Sequence, residues 1–234
     1  MSVLGPDGAL PQGDEKRRTV QAMFDRVAPT YERTNRVISL GLDRRWRDTA
    51  IVTLGLTRGS RVLDIACGTG DFCRDLADAG HHAVGVDFSA GMLAAAHTAA
   101  PLVRADASTL PIPDAAFDGV TCGFALRNFV ELDVVLRECA RVLRRGGRFV
   151  AVDATVPTNR LVRAGNTVWF RGAVPLLGRF LARDADAYRY LPKSTAYLPP
   201  SDTLRTMLSD AGFVDLELRS LTGGSVLLVA GSRA

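Results

Sequence analysis

The sequence predicts an α/β fold built on a seven-stranded, mostly parallel sheet with an antiparallel last strand. Short apolar runs alternate with helical segments through the middle of the chain, which is typical of a parallel sheet covered by helices on both faces. The last two apolar runs are separated only by Thr222-Gly223-Gly224, and so short a turn requires an antiparallel pair. With 234 residues, 47% of them hydrophobic, the chain can bury one sizeable core.

A Gly- and Pro-rich start predicts a flexible tail over residues 1–18, followed by a single domain over residues 19–234. Apolar residues at helical spacing predict a helical lead-in that extends from about Asp14 to Leu56. Residues 159–200 are rich in aromatics, arginines and prolines, which predicts a helical insertion on the substrate side after the fifth strand. The predicted strands are Arg61–Ala66, Ala83–Asp87, Leu102–Asp106, Phe117–Phe124, Arg148–Val152, Val214–Leu221 and Ser225–Ala230. The predicted helices between them are Phe72–Ala79, Ala90–Ala99, Asp133–Leu143 and Ser201–Ala211.

Charge and cysteine usage argue against several kinds of partner. The 29 basic and 25 acidic residues give a net charge of +4, which by itself does not indicate a nucleic-acid partner. The four cysteines have no metal-ligand spacing and fall in apolar segments, so we expect buried, reduced thiols and no metal site. No apolar run reaches the ~18 residues of a membrane span and no signal-peptide pattern is present, so we expect a cytoplasmic location.

Residues 62–72 read as a buried strand, a tight glycine turn and the start of a helix, which is typical of a Rossmann-like ligand site. Gly68 and Gly70 have no Cβ, so a ligand can approach the backbone closely. Cys73 stands where a dinucleotide fingerprint has its third glycine, and carboxylates on both sides of the turn, Asp64 among them, repel a diphosphate. Such carboxylates suit a cation, so we predict S-adenosylmethionine, which carries a sulfonium and an amino group.

The predicted cofactor site continues along the ends of the next strands. Asp87 ends the second strand about 20 residues past the glycine turn, where a carboxylate accepts hydrogen bonds from both ribose hydroxyls. Asp106 and Ala107 follow the third strand and suit the adenine amino group and a ring nitrogen, although Asp106 also fits a helix-capping role. The predicted cofactor-binding residues are Asp64, Gly68, Thr69, Gly70, Asp87, Phe88, Asp106, Ala107 and Gly123.

The predicted substrate side lies just past the fourth strand, at the sheet edge where ligands bind in open α/β sheets. Arg127 and Asn128 are polar residues set among apolar ones in this segment. They fit two roles, which are holding a phenolate or carbonyl oxygen of an acceptor and anchoring a loop to the lead-in helices. No histidine is placed to act as a base, because His81 and His82 precede the second strand at the opposite edge of the sheet.

Three segments resemble the menaquinone/ubiquinone C-methyltransferases, and the resemblance covers residues 19–232. The segment YERTNRVISLGLDRRW, with Tyr31, Asn35, Ser39, Gly41, Asp43 and Trp46, looks like the N-terminal signature of that family. The segment GFALRNF resembles its FGLRN segment. The tail matches in order through Tyr190-Leu191-Pro192 with Ser194, Met207-Leu208, Ala211-Gly212-Phe213 and Leu221-Thr222-Gly223-Gly224.

This resemblance implies a class I methyltransferase fold and C-methylation of a demethylmenaquinol-type prenylated naphthoquinol in menaquinone biosynthesis, with S-adenosylmethionine as cofactor. It implies that Thr69, Asp87, Asp106 and Ala107 bind that cofactor. A ring carbon becomes nucleophilic when the neighbouring hydroxyl is deprotonated or polarised. We therefore predict three catalytic residues, with Arg127 stabilising the oxyanion and Asn128 and Tyr31 orienting the ring.

Other functions stay open on the residues alone. A small-molecule O- or C-methyltransferase acting on another aromatic metabolite shares everything except the acceptor pocket. A nucleic-acid methyltransferase is disfavoured because Gly123-Phe124-Ala125-Leu126 stands where an Asp/Asn-Pro-Pro-aromatic motif belongs. A non-catalytic binding module or a nicotinamide enzyme is disfavoured by the intact acidic loop. The arginine-rich apolar stretch 159–181 fits either peripheral contact with the inner face of the cell membrane or a cap helix, and the chain can form an oligomer.

Overall fold

The computed structural model describes Val3 and residues 9–157, 159–169 and 185–234. Its sheet has the order β3-β2-β1-β4-β5-β7-β6, and β7 runs antiparallel to both of its neighbours. The strands are β1 (Arg61–Ile65), β2 (His82–Asp87), β3 (Leu102–Arg104), β4 (Phe117–Gly123), β5 (Leu143–Ala154), β6 (Phe213–Leu221) and β7 (Val226–Arg233). The predicted seven-stranded, mostly parallel sheet with an antiparallel last strand is therefore confirmed.

Helices cover both faces of the sheet. On one face Leu136 and Leu204 belong to one buried apolar cluster, and on the other Leu54 and Leu76 belong to a second. The described helices are α1 (Gly13–Val27), α2 (Tyr31–Ile38), α3 (Leu42–Leu54), α4 (Asp71–Asp78), α5 (Ala90–Ala94), α6 (Leu132–Val142), α7 (Arg160–Val168), α8 (Ala185–Ser194) and α9 (Ser201–Asp210). The helical lead-in and all four helices predicted between the strands are present.

Helix α5 ends at Ala94 instead of the predicted Ala99. The residues that follow are drawn to the glycine turn, because the His97 N–H donates to the Thr69 carbonyl at 3.1 Å. The Arg74 guanidinium also donates to the His97 carbonyl at 2.8 Å. These bonds replace the helical bonds that the local pattern favours, so a tertiary contact ends the helix.

The predicted flexible tail over residues 1–18 is too long. Helix α1 begins at Gly13, and Lys16 is only 5% exposed. The Lys16 ammonium donates to the carbonyls of Arg127 at 2.9 Å and Phe129 at 2.8 Å. These partners lie more than 100 residues away, which is why the local sequence gives no sign of them. Residues 1, 2 and 4–8 lie outside the described residues.

The predicted substrate-side insertion, residues 159–200, contributes α7 and α8. Residues 158 and 170–184 lie outside the described part of the chain, and they include most of the arginine-rich stretch assigned to membrane contact or to a cap helix. Among the described residues, no helix is both long enough and apolar enough to span a bilayer.

A carboxyl group lies buried in the central strand β1. The Thr121 hydroxyl donates to Asp64 Oδ1 at 2.9 Å, and the Cys73 thiol lies 3.7 Å from Oδ2. Burial raises the pKa of Asp64 to about 7, because an ionised carboxylate is poorly solvated there. The sheet therefore carries an ionisable group whose protonation changes near neutral pH.

We expect Asp64→Asn to flatten the pH dependence of stability. In the wild type the folded protein holds the Asp64 proton up to about pH 7, whereas the unfolded chain releases it near pH ~4. The free energy of unfolding therefore falls as pH rises through this window, and Asn removes that loss. Denaturant titration at pH 5 and pH 8 without cofactor measures the difference, with exposed Asp133→Asn as control. Equal pH dependence of wild type and Asp64→Asn would contradict the assignment.

Candidate active site

Two cavities meet at the carboxyl ends of the parallel strands. The smaller has a volume of about 140 Å³ and the larger about 640 Å³. Both are lined by Tyr31, Ala66, Gly68, Gly123 and Phe124. A group bound in one cavity therefore faces a group bound in the other across the ends of β1 and β4, as a transfer between two ligands requires.

Asp87 lies at the end of β2 in the wall of the smaller cavity. Its Oδ2 accepts the Gly68 N–H at 2.8 Å, and its Oδ1 accepts the Ser89 N–H at 2.7 Å. Burial raises the pKa of Asp87 in spite of these two bonds. The carboxylate thus holds the glycine turn against β2 and retains lone pairs for hydroxyls of a ligand. Phe88 lines the same cavity.

Asp106 and Ala107 line the smaller cavity beyond the end of β3, as predicted. Asp106 Oδ1 accepts the N–H of Ser108 at 2.9 Å and its hydroxyl at 2.7 Å. Asp106 Oδ2 accepts from the Arg17 guanidinium at 2.9 Å. The capping role and the ligand-facing position therefore coexist in one side chain. The partner Arg17 was missed, because it belongs to the segment predicted to be a flexible tail.

Helix α1 forms a wall of the smaller cavity that the sequence did not predict. Its residues Arg17, Val20, Gln21 and Phe24 line the cavity. Asp25, the residue after Phe24, accepts at Oδ1 from the Ser89 hydroxyl at 2.5 Å and from the Gly91 N–H at 2.9 Å. Both ends of the helix are therefore bonded to the loops that surround the cavity.

The two glycines of the turn have different roles. Gly68 has φ +57° and faces both cavities, where an added Cβ would have about 4 Å of space to Tyr31 and Met92. Gly70 has φ +85°, and a Cβ there would lie 2.6 Å from Thr98 Cγ2. Gly70 is absent from the described residues that line either cavity. It therefore serves the turn and its packing, and its contact with the cofactor stays a prediction.

Thr69 and Asp64 line the larger cavity beside the glycine turn. The Thr69 hydroxyl is buried and has no hydrogen-bond partner among the described residues, and such groups are normally satisfied. A ligand with charged or polar ends at this point would satisfy it. S-adenosylmethionine fits such a lining, and the contacts of Asp64, Thr69, Asp87 and Asp106 with it stay predictions.

The larger cavity is lined by both aromatic and polar residues. The rings of Trp46 and Phe124 have centroids 5.8 Å apart, and the Trp46 indole donates to the Thr222 hydroxyl at 2.8 Å. The polar lining includes Tyr31, Asn35, Asp43, Arg47, Asp71 and Arg127. The cavity therefore suits an aromatic ring that carries oxygen atoms.

The structure separates Arg127 and Asn128, which were predicted to act on the same ring. Arg127 lines the larger cavity, whereas Asn128 lines the smaller one and accepts from the Tyr190 hydroxyl at 3.1 Å. The Arg127 guanidinium is ion-paired with Asp153 and donates to the Ser194 hydroxyl at 3.0 Å. Neither partner was predicted from the sequence. The position of Asp153 near the end of β5, which pairs with β4, could have indicated the contact with Arg127.

Tyr31 lies where the two cavities join, as the first residue of α2. Burial raises the pKa of its hydroxyl, whereas a hydrogen bond with Asn35 opposes that effect. The hydroxyl therefore stays protonated at neutral pH and can donate a hydrogen bond to a ligand oxygen.

Comparisons with known proteins agree with this geometry. The chain is 42% identical over 221 residues to the demethylmenaquinone methyltransferase of Mycolicibacterium paratuberculosis, covering 94% of this chain and 96% of that one. It is 38% identical over 229 residues to the demethylmenaquinone methyltransferase of Roseiflexus castenholzii, covering 95% and 96%. The Haemonchus contortus phosphoethanolamine N-methyltransferase 2, solved with S-adenosyl-L-methionine, has a TM-score of 0.60 at 16% identity over 81% of this chain and 52% of that one.

The family model described as the ubiE/COQ5 methyltransferase family matches residues 12–233. This span includes the glycine turn, both cavities and the lead-in helices that cover them. The chain therefore belongs to the ubiE/COQ5 methyltransferase family.

Proposed function

We propose that this S-adenosylmethionine-dependent methyltransferase C-methylates a demethylmenaquinol-type prenylated naphthoquinol in menaquinone biosynthesis. The observation that carries the proposal is the larger cavity of about 640 Å³, which opens onto the cofactor cavity at Gly68, Gly123 and Phe124. A bicyclic ring with two oxygens suits a cavity lined by the Trp46–Phe124 pair and by polar side chains. The two relatives described above are named as demethylmenaquinone methyltransferases, and this chain aligns with nearly their whole length.

The bound cofactor supplies an activated methyl group on a sulfonium. The protein contributes alignment, because the Trp46–Phe124 wall holds the acceptor ring at the point where the cavities join. Tyr31 lies at the same point and orients a ring oxygen through its protonated hydroxyl. The attacking ring carbon gains electron density as the neighbouring hydroxyl is polarised. The carbon–carbon bond would form as the methyl–sulfur bond breaks with its electron pair left on sulfur, and the ring carbon would then release its proton to solvent.

Arg127 is suited to stabilising the oxygen that becomes negative. Its guanidinium is fixed by Asp153, by Ser194 and by the Phe124 carbonyl at 2.7 Å, so it needs no reorganisation during the reaction. The ion pair with Asp153 offsets part of its charge, so we assign it a directed hydrogen bond rather than a full counter-charge. Asn128, bonded to Tyr190 on the cofactor side, positions the turn that carries Arg127.

A methyl-transfer assay with labelled S-adenosylmethionine tests the proposed acceptor. We expect label on the naphthoquinol ring with a short-chain demethylmenaquinol and little label on a panel of simple phenols. The expectation follows from the size and polarity of the larger cavity. Cofactor binding without transfer to the quinol, together with transfer to another phenol, would favour an aromatic-metabolite methyltransferase instead.

We expect Asp87→Asn to weaken S-adenosylmethionine binding by at least about tenfold, because the amide removes one acceptor and turns donors toward Gly68 or Ser89. Isothermal titration calorimetry measures the dissociation constant. Asp133→Asn on the exposed face of α6 is the control and should bind as the wild type does. Unchanged affinity in Asp87→Asn would remove Asp87 from the cofactor site.

We expect Arg127→Lys to lower kcat by about 100-fold, because lysine cannot hold the same directed bonds to Asp153 and Ser194 and to the acceptor oxygen. The cofactor dissociation constant should change by less than about threefold, since Arg127 lies outside the smaller cavity. The control is Arg148→Lys, in which a half-buried arginine bonded to Ser232 is replaced far from both cavities. A normal kcat in Arg127→Lys would leave Arg127 as a loop anchor only.

A further inference from the structure

Two exposed apolar side chains and one half-buried aromatic residue line the larger cavity. Leu40, in the turn between α2 and α3, is 68% exposed, and Val156, which follows β5, is 54% exposed. Both line the cavity, as does Trp169 just after α7. The Trp169 indole donates to the Ile38 carbonyl at 3.0 Å, so α7 is fastened to the turn that carries Leu40. We call Leu40, Val156 and Trp169 the apolar rim.

Leu40 combines an unfavourable backbone conformation with an exposed apolar side chain. Its φ is +54°, in the left-handed region, which leucine avoids and asparagine or glycine tolerates. The conformation is fixed by backbone bonds, since the Leu40 N–H donates to the Val37 carbonyl at 3.1 Å and the Gly41 N–H to the Arg36 carbonyl at 2.8 Å. A local conflict of this kind marks a functional position in an otherwise consistent fold.

The surface beside Leu40 carries positive charge. Arginines are exposed in the last turns of α2 and in the first turn of α3, namely Arg33, Arg36, Arg44 and Arg45. Arg36 has one carboxylate nearby, Glu32 at 3.5 Å. Asp43 is turned inward, where it accepts from Ser39 at 2.6 Å and from Arg47 at 2.9 Å, whereas Asp48 is exposed one turn after Arg44 on α3. The four exposed arginines outnumber the two nearby acids, Glu32 and Asp48, so this surface is net positive, which suits anionic lipid headgroups.

We propose that the apolar rim inserts into the surface of an anionic lipid bilayer and opens the larger cavity toward the acyl chains. This inference rests on the proposed function, in which the acceptor carries a prenyl chain that partitions into the bilayer. An apolar side chain combined with basic residues gives stable peripheral binding where either feature alone is weak. The cavity mouth then receives the ring directly from the bilayer, and the tail remains in lipid.

Vesicle sedimentation without any quinol tests the rim. Wild-type protein should sediment with vesicles of phosphatidylglycerol and phosphatidylcholine, less at high salt, and only weakly with phosphatidylcholine alone. Leu40→Asp should lower partitioning onto the anionic vesicles by about tenfold or more. Aspartate tolerates a positive φ better than leucine, so a thermal melt should show that Leu40→Asp remains folded.

The matched control is Val52→Asp, because Val52 is 80% exposed on α3 and lies outside the rim. Val52→Asp should sediment like the wild type. Equal loss in both variants, or no sedimentation of the wild type with anionic vesicles, would overturn the proposal.

Light scattering in solution must also show the same oligomeric state for wild type and Leu40→Asp, since a dimer lost in Leu40→Asp would assign the rim to a second copy of this chain. A wild type that binds vesicles but methylates no quinol would leave the rim standing and sink the proposed function.

Discussion

A buried ion pair between Arg127 and Asp153 holds together the parts of the chain that form the acceptor cavity. Through Arg127, the turn after β4 is joined to the end of β5 by Asp153 and to the end of α8 by Ser194. The carbonyl of the same residue accepts from Lys16, which attaches α1 to this turn. Removing one partner of such a pair leaves an uncompensated buried charge, which typically costs about 3–5 kcal/mol. The site and the attachment of the lead-in helix therefore depend on one interaction.

The same attachment holds α1 over the cofactor cavity. Helix α1 is bonded to its surroundings at Lys16, at Arg17 and at Asp25, and Val20 and Phe24 between these points line the cavity. Burial lowers the pKa of Lys16 to about 8, and Arg127 contributes to the same effect. The ammonium is offset by two carbonyls and by the ring of Tyr197 at 3.8 Å. The helix therefore combines long-range polar contacts with an apolar face that belongs to a buried cluster of its own.

The strands, and the positions of Gly68 and Asp87 at their ends, could be predicted from the sequence because the signals are local. The apolar run of each strand, the turn at Gly68 after β1 and the carboxylate at the end of β2 are each read from a few neighbouring residues. The attachment of α1 could not be predicted, since the partners of Lys16 and Arg17 lie about 90 to 110 residues away. The role of Gly70 cannot be read from the sequence for a related reason, because a glycine required for packing against Thr98 looks the same in sequence as one required by a ligand.

Two of the six non-glycine residues with positive φ in the described part of the chain lie at the junction of the two cavities. Ala66 ends β1 with φ +51°, and Phe124 follows β4 with φ +59°, both in a region that costs non-glycine residues of order 1 kcal/mol or more. At Phe124 the cost is offset because its N–H donates to Val152 at 2.7 Å and its carbonyl is turned to accept from Arg127. A glycine at this position would relax the backbone but would remove the ring that packs beside Trp46. The strained aromatic residue is therefore the point at which the cofactor half of the fold, built by the sheet, is fixed to the acceptor half, built by the lead-in helices and the insertion.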